Sequence, residues 1–119
     1  MNLKSGIIHS EAGLKYNKIL RWEKIKMSEL VSIIIPTYKG HRYVGRAIKS
    51  VQNQTYSNIE IIVVDDNGMG SEEQIKTQKV LEPFLTDERI HYVVHNVNKN
   101  GSAARNTGVR NSKGKYIAL

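Results

Sequence analysis

The chain has 119 residues, no cysteine and a net charge of +7, and its composition is 39% hydrophobic and 24% charged. These values are typical of one modest soluble globular domain, and they exclude a disulfide framework and a thiolate metal site. No apolar run approaches the roughly 20 residues that span a bilayer, and no secretory signal is recognisable. We therefore expect a cytoplasmic protein that could also contact the inner face of the membrane. The dispersed basic residues favour a solvated surface over a nucleic-acid interface.

Residues 1–28 differ from the rest of the chain and predict a basic leader. The leader is expected to be disordered or to form a weak amphipathic helix over about 14–27. Such a basic helix could touch an anionic membrane. Alternatively, translation naturally begins at Met27, which precedes the first regular strand at the spacing of a native start.

From Val31 onward the hydrophobic pattern becomes regular. Apolar runs predict strands at about 31–36, 59–65, 90–95 and 116–119. Helical spacing and capping signals predict helices at about 42–53, 71–85 and 102–111. Pro36 is expected to end the first strand, because proline cannot donate to a ladder, and Gly114 is expected to stop the last helix.

The alternation of strands and helices predicts the α/β class, with an open, mostly parallel sheet and helices on both faces. The chain stops directly after the last predicted strand. We therefore expect residues 29–119 to be a truncated domain with an exposed sheet edge that could promote association.

Two carboxylates, Asp65 and Asp66, follow an apolar strand that is expected to be buried on both faces. Ligands of open α/β sheets bind at the carboxyl ends of the strands. The carboxylates could accept hydrogen bonds from a base or ribose, or hold a metal through water; alternatively, Asp65 caps a turn or pairs with a nearby Arg or Lys. We favour ligand binding, with Asp66 ahead of Asp65.

Two further stretches carry candidate binding groups. Tyr38 could stack on a planar base while Thr37 offers a hydroxyl, although Tyr38 could also simply pack beside a turn. Small residues at the start of the helix near Gly101 would let the backbone approach an anion. Arg105 could reach a diphosphate or a carboxylate such as Asp65, or only buttress the loop.

The histidines and the common nucleotide motifs add little. His91 and His95 are expected to share a strand face without forming a metal-ligand pair, and both are interpreted as structural. No Ser-His-Asp arrangement is recognisable from the sequence. Neither a phosphate-binding loop nor a Gly-x-Gly-x-x-Gly motif follows the first strand, which argues against an NTPase or a dinucleotide-dependent dehydrogenase.

Taken together, several motifs resemble the amino-terminal part of family 2 glycosyltransferases with the GT-A fold, over about residues 29–119. The motifs are residues 31–38 (VSIIIPTY), 50–56 (SVQNQTY), 60–66 (EIIVVDD), Asn100-Gly101, Ala104-Arg105-Asn106, Gly108 and 114–117 (GKYI). Lys39 and the segment 67–70 (NGMG) depart from the family pattern, and these departures bear on loop shape more than on class.

The resemblance implies inverting transfer of a sugar from a nucleotide donor, often UDP-linked, to a saccharide or lipid-linked acceptor in bacterial surface polysaccharide synthesis. By motif position the nucleotide-binding residues would be Pro36, Thr37, Tyr38, Asp65, Asp66 and Arg105. Asp66 would contact the base and Asp65 would support the same pocket. Arg105 would lie near the nucleotide or its phosphates.

The resemblance also implies a divalent metal, Mg or Mn, in a full-length family member. The family's metal-binding Asp-x-Asp would follow Tyr116–Leu119, and the catalytic base would come later still. We therefore expect the chain to hold a donor nucleotide but to be inactive alone. The alternatives are a non-catalytic α/β binding or interaction module, a phospho-receiver domain and a basic nucleic-acid binder. The phospho-receiver is disfavoured because its acidic pair follows the first strand.

Overall fold

The computed structural model of the chain describes residues 7–9 and 29–119. Its strands are β1 Ile7–His9, β2 Val31–Thr37, β3 Ile59–Asp65, β4 Ile90–Val94 and β5 Tyr116–Ala118. Its α-helices are α1 Val44–Gln52, α2 Glu72–Leu81 and α3 Gly101–Arg110, and a 3-10 turn, Glu82–Thr86, extends α2. The β-α alternation predicted from Val31 onward is therefore confirmed.

These strands form one sheet in the order β1-β5-β2-β3-β4. Strand β2 pairs in parallel with both β3 and β5, and β3 pairs in parallel with β4. All seven residues of β3 are buried, as the apolar run at 61–64 predicts. The predicted α/β class with a mostly parallel sheet is confirmed.

Strand β1 pairs antiparallel with β5, and Ile7 lies opposite Ala118. At these three residues the structure differs from the expected disordered or weakly helical leader, and the β5 edge is covered. The physical reason is that an edge strand presents unpaired backbone groups, which an extended segment can satisfy. The predicted helix at 14–27 lies outside the described residues. Within the described ranges no helix has the length and apolarity to cross a bilayer.

The two faces of the sheet carry separate apolar cores, because successive strand side chains point to opposite faces. On one face the odd-numbered residues of β2 and β3 pack with α1 and α2, as Ile33 and Ile61 do with Ile48 and Leu81. On the other face Ile34, Ile62, Val64, Ala104 and Ile117 form the core that includes α3. Helices therefore cover both faces, as predicted.

The expectation that Pro36 ends the first strand is wrong. The β2–β3 register continues through Pro36 to Thr37, which lies opposite Asp65. The Thr37 carbonyl accepts a bond from the Asp66 amide, so Pro36 faces the β5 side of the strand. The β5 pairing has already ended at Ile33. Pro36 therefore sits where its missing N–H removes no ladder bond.

Two glycines allow close backbone approach rather than unusual turns. A Cβ at Gly108 would lie 2.4 Å from Cγ2 of Ile34, so α3 packs tightly on β2. A Cβ at Gly114 would lie 2.4 Å from Oγ of Ser32. Helix α3 ends at Arg110 with Asn111 as its cap. The expectation that Gly114 stops this helix is therefore wrong. The packing at Gly108 brings the first turn of α3 to the carboxyl ends of the strands.

Candidate functional site

A cavity of about 370 Å³ opens at the carboxyl ends of β2 and β3, on the face that α3 covers. It is lined by Pro36, Thr37, Tyr38, Asp66, Asn98, Asn100, Gly101 and Ala104. This volume lies within the range of small-molecule sites, about 300–1,000 Å³. The position is the sheet edge at which ligands of open α/β folds bind.

The cavity brings together four of the six residues predicted from the sequence, namely Pro36, Thr37, Tyr38 and Asp66. Asp65 is fully buried and does not line it. Arg105 is exposed, and a Cβ at Gly101 would lie 3.5 Å from its Nη1. The Arg105 guanidinium therefore lies beside a lining residue.

Asp65 makes its contacts on the opposite face of the sheet from the cavity. One carboxylate oxygen accepts bonds from the Asn67 backbone N–H at 2.9 Å and side-chain amide at 2.7 Å. The other accepts the Tyr92 hydroxyl at 2.5 Å. Burial, together with this bond, raises the pKa of Tyr92 well above its usual value. Asp65 therefore supports the turn after β3 and its packing on β4, and it makes no contact with Arg105.

Asp66 is the centre of a dense hydrogen-bond network on the cavity side. Its Oδ1 accepts the His95 Nδ1–H and the Lys99 amide, each at 2.8 Å. Its Oδ2 accepts the Asn98 side-chain amide at 2.8 Å and the Asn100 backbone amide at 2.9 Å. Each carboxylate oxygen thus accepts two bonds, and three of the four donors come from the loop before α3. In this arrangement Asp66 organises that loop.

The hydrogen bonds also keep Asp66 ionised. Burial by itself would raise the pKa of this carboxyl. The bonds from His95 and from the backbone amides of Lys99 and Asn100 outweigh burial and lower the pKa below its ordinary value of 3.8. The cavity wall therefore contains a buried negative charge that is stabilised by hydrogen-bond donors of the protein itself.

His95 is a functional candidate that the sequence interpretation missed. The sequence pattern predicts a structural histidine on a strand, but β4 ends at Val94 and His95 begins the loop at the carboxyl edge. Its ring is buried, and its second nitrogen, Nε2, lies 2.7 Å from the hydroxyl of Thr107 on α3. A polar residue directly after a parallel strand is the signal that could have identified it. His91, by contrast, is exposed and lies 3.7 Å from Glu60.

Asn100 connects the loop to α3 in a constrained conformation. Its φ of 102° and ψ of 169° fall in a region that is favourable almost only for glycine. Its side-chain oxygen accepts the Ala103 amide at 3.0 Å and caps the helix. The bond from the Asn100 amide to Asp66 holds this backbone in place.

Tyr38 forms an exposed wall of the cavity. The residue is 52% exposed, and the Lys39 ammonium lies 5.3 Å from the centre of its ring. Lys39 has a φ of 51°, and its amide donates to Asn67 at 2.7 Å. The ring is therefore held at the mouth of the cavity with a face on which a planar group could stack.

The residues present do not fit a divalent metal. Within residues 29–119 and 7–9, no group of three or more His, Cys, Asp or Glu side chains is arranged to hold an ion. All four carboxylate oxygens of Asp65 and Asp66 already accept hydrogen bonds. No step of a reaction is therefore assigned to a metal bound by these residues.

Comparison with known proteins identifies one family over most of the chain. Residues 32–119 match the family described as Glycosyl transferase family 2. The chain is 36% identical over 94 residues to "Glycosyltransferase GlyG" of Streptococcus pneumoniae, covering 78% of this chain and 30% of that protein. It is 37% identical over 118 residues to an uncharacterized glycosyltransferase of Rickettsia bellii, covering 99% of this chain and 16% of that protein.

A third relative, from Escherichia coli, is the "UDP-Glc:alpha-D-GlcNAc-diphosphoundecaprenol beta-1,3-glucosyltransferase WfgD", 37% identical over 90 residues. That alignment covers 76% of this chain and 33% of WfgD, so the chain spans a third or less of these three relatives. A solved structure of the mannosyltransferase PcManGT from Pyrobaculum calidifontis, in complex with GDP-Man and Mn²⁺, has the same fold at 21% identity. Its TM-score is 0.62 over 73% of this chain and 25% of that chain. The chain belongs to glycosyl transferase family 2.

Proposed function

We propose that this chain carries the nucleotide-binding part of a glycosyltransferase that transfers a sugar from a nucleotide-sugar donor. The observation that supports this most directly is the cavity of about 370 Å³ formed by Pro36–Tyr38, Asp66 and the start of α3. It lies at the sheet edge where open α/β folds bind ligands, in a chain that belongs to a glycosyltransferase family.

Each wall of the cavity suits a different part of a nucleotide. The exposed ring of Tyr38 offers a stacking face for the base. Thr37 lines the cavity, and its backbone carbonyl accepts the Asp66 amide, whereas its hydroxyl lies beside Gly40. The first turn of α3 contributes the small residues Gly101 and Ala104, with Arg105 close by, which suits an approaching diphosphate.

The donor is proposed to be UDP-linked. The WfgD name specifies UDP-Glc, whereas the PcManGT complex contains GDP-Man. The acceptor is proposed to be a saccharide or a lipid-linked saccharide in bacterial surface polysaccharide synthesis, and the reaction to invert the anomeric centre. Another E. coli relative, named a putative colanic acid biosynthesis glycosyl transferase, supports this setting. Such a protein would act in the cytoplasm, at the inner face of the membrane.

A divalent metal is proposed for the whole enzyme, in keeping with the Mn²⁺ in the PcManGT complex. When bound, such an ion offsets the charge that develops on the leaving diphosphate. The described residues provide no cluster of ligands for it. We therefore propose that the 119-residue chain binds a nucleotide without turning over a nucleotide sugar.

The test is calorimetric titration of the purified chain with UDP, GDP and ADP, in Mg²⁺ and in EDTA. UDP is expected to bind most tightly. Tyr38→Ala should weaken binding, because a stacked base is worth about 1–3 kcal/mol, while Tyr38→Phe should retain it. Tyr43→Ala is the matched control, since Tyr43 is also exposed but does not line this cavity.

A folded chain that binds none of the three nucleotides would overturn the proposal and favour a non-catalytic α/β module. Preference for GDP would correct the donor class while retaining the nucleotide site. Turnover of a UDP-sugar by the isolated chain would contradict the proposed inactivity.

A further inference from the structure

A chain of hydrogen bonds links α3 to the loop that borders the cavity, and the two bonds of His95 in this chain are buried. Arg110 donates to the Thr107 hydroxyl oxygen at 3.1 Å, Thr107 lies 2.7 Å from Nε2 of His95, and His95 Nδ1 lies 2.8 Å from Asp66. His95, Thr107 and Asp66 are each at least 90% buried. The function proposed above assigns no role to His95 or Thr107.

The direction of these bonds follows from which groups can donate. Arg110 can only donate, so the Thr107 oxygen accepts from it. Among residues 29–119 the only acceptor in contact with the Thr107 hydroxyl hydrogen is His95 Nε2. His95 then carries its proton on Nδ1 and donates it to the ionised Asp66. Every group in the chain is satisfied when His95 is neutral.

The order Asp66, His95, Thr107 matches that of a hydrolase triad, but the location argues against nucleophilic catalysis. Thr107 is 9% exposed and does not line the cavity. Its hydroxyl already contacts both His95 and Arg110. This oxygen is therefore largely shielded from a substrate, and the chain of bonds serves to position another group.

The group positioned is the Asp66 carboxylate. Asp66 holds the loop through the amides of Lys99 and Asn100 and the side chain of Asn98. Asn98 and Asn100 line the cavity. We propose that His95 is a positioning residue, which fixes Asp66 and hence the 98–100 loop, and that Thr107 couples this loop to α3. The consequence for nucleotide affinity rests on the proposed function.

The clearest test removes one hydroxyl at nearly constant shape. Thr107→Val deletes the donor to His95, and Thr107→Ser is the matched control that retains it. In Thr107→Val we expect faster hydrogen exchange at the amides of Lys99 and Asn100, with exchange at Ile62 and Val63 of β3 unchanged. The Kd for UDP should rise about five- to tenfold, the effect of one net hydrogen bond.

The two ends of His95 can be tested separately. His95→Asn keeps a donor near Asp66 and should preserve most protection of the Lys99 and Asn100 amides, whereas His95→Leu should lose it. Unchanged loop exchange in both Thr107→Val and His95→Leu would overturn the inference. Uniformly faster exchange that includes Ile62 would mean that His95 only stabilises the fold as a whole, and this result would also overturn the inference.

The amide measurement needs no nucleotide, so the two proposals fail separately. If the wild-type chain binds no nucleotide, the proposed function fails while the exchange data still decide whether His95 positions the loop. If UDP binds equally to wild type and to Thr107→Val with disturbed loop amides, the loop is positioned but does not set affinity, which overturns the functional part of the inference.

Discussion

Asp65 and Asp66 are adjacent in the sequence, but their carboxylates lie on opposite faces of the sheet. Asp65 bonds Tyr92 on the face of α1 and α2, and Asp66 bonds His95 on the face of α3. The alternation of strand side chains accounts for this division. One carboxylate therefore stabilises the fold beneath the site, and the other shapes the cavity wall.

This division predicts different effects for Asp65→Asn and Asp66→Asn. In Asp66→Asn the new side-chain NH2 group replaces one carboxylate oxygen and faces the N–H of either His95 or Asn100. Two donors then face each other without an acceptor, at a cost of about 2–3 kcal/mol. The change at Asp65 leaves one oxygen for Asn67 and should cost about 1 kcal/mol. Urea unfolding measures both values.

Nucleotide titration provides the functional half of the same comparison. Asp66→Asn should weaken UDP binding, and Asp65→Asn should leave it within about twofold, a difference below 0.5 kcal/mol. A larger loss of affinity for Asp65→Asn than for Asp66→Asn would contradict the assignment of the two faces.

The lowered pKa of Asp66 predicts a defined acid sensitivity. Because the folded-state pKa lies below the ordinary value of 3.8, the stability that this group contributes is present above that pH and is lost as the pH falls toward the folded value. Asp66→Asn should therefore reduce the fall in unfolding free energy between about pH 5 and pH 3.

The contribution of Asp87 must be controlled for in that experiment. The side-chain hydrogen bond from Arg89 lowers the pKa of Asp87 as well, against the effect of burial. Asp87→Asn should remove a separate part of the acid sensitivity. The Asp66→Asn effect should therefore persist in the Asp87→Asn background. An Asp66→Asn variant with the same pH profile as wild type would show that this carboxylate is not held by its donors.

The sequence contained enough information to place the site at the carboxyl ends of β2 and β3. It could not show that Asp65 faces away from the cavity, since that depends on which face α3 packs against, through the contact of Gly108 with Ile34. The role of His95 depends on its contact with Thr107, which lies twelve residues away on α3. Long-range packing, and not local propensity, decides both.

Asn100 offers a test of backbone strain at the cavity. Asn100→Gly should stabilise the chain by about 1 kcal/mol. Glycine relieves a backbone conformation that costs about 1–3 kcal/mol. This gain exceeds the few tenths of a kcal/mol lost from the helix cap together with the cost of the added freedom of the unfolded chain. Asn100→Ala keeps the strain and loses the cap, so it should destabilise the chain by about 1 kcal/mol. Thermal unfolding should therefore rank Gly above wild type and wild type above Ala.

Arg105 is predicted to act on phosphate charge. Its guanidinium lies beside Gly101 at the cavity and makes no ion pair within residues 29–119. Arg105→Gln should weaken UDP binding about two- to fivefold and leave uridine binding nearly unchanged. Lys113→Gln removes the same charge from an exposed residue outside the cavity and is the matched control. Equal losses of affinity for UDP and for uridine would show that Arg105 does not act on the phosphates.

The contact between Gly108 and Ile34 makes the position of α3 testable. In Gly108→Ala the new methyl group would lie 2.4 Å from Ile34 Cγ2, so we expect a loss of about 1–3 kcal/mol from overpacking. Ile34→Ala alone should cost about 2–5 kcal/mol by leaving a cavity. The double variant should cost less than the sum by about 1 kcal/mol or more, because each change provides the space that the other needs.

The same pair distinguishes displacement of α3 from a simple loss of stability. A displaced α3 carries Ala104 and Gly101 away from Tyr38, so Gly108→Ala should also weaken UDP binding under conditions in which the chain remains folded. Adding Ile34→Ala should restore part of that affinity although it removes further apolar contacts. If the effects of the two substitutions are strictly additive in both urea unfolding and UDP titration, Ile34 does not set the height of α3 above the sheet. Only a shared steric contact would let the second core truncation restore binding.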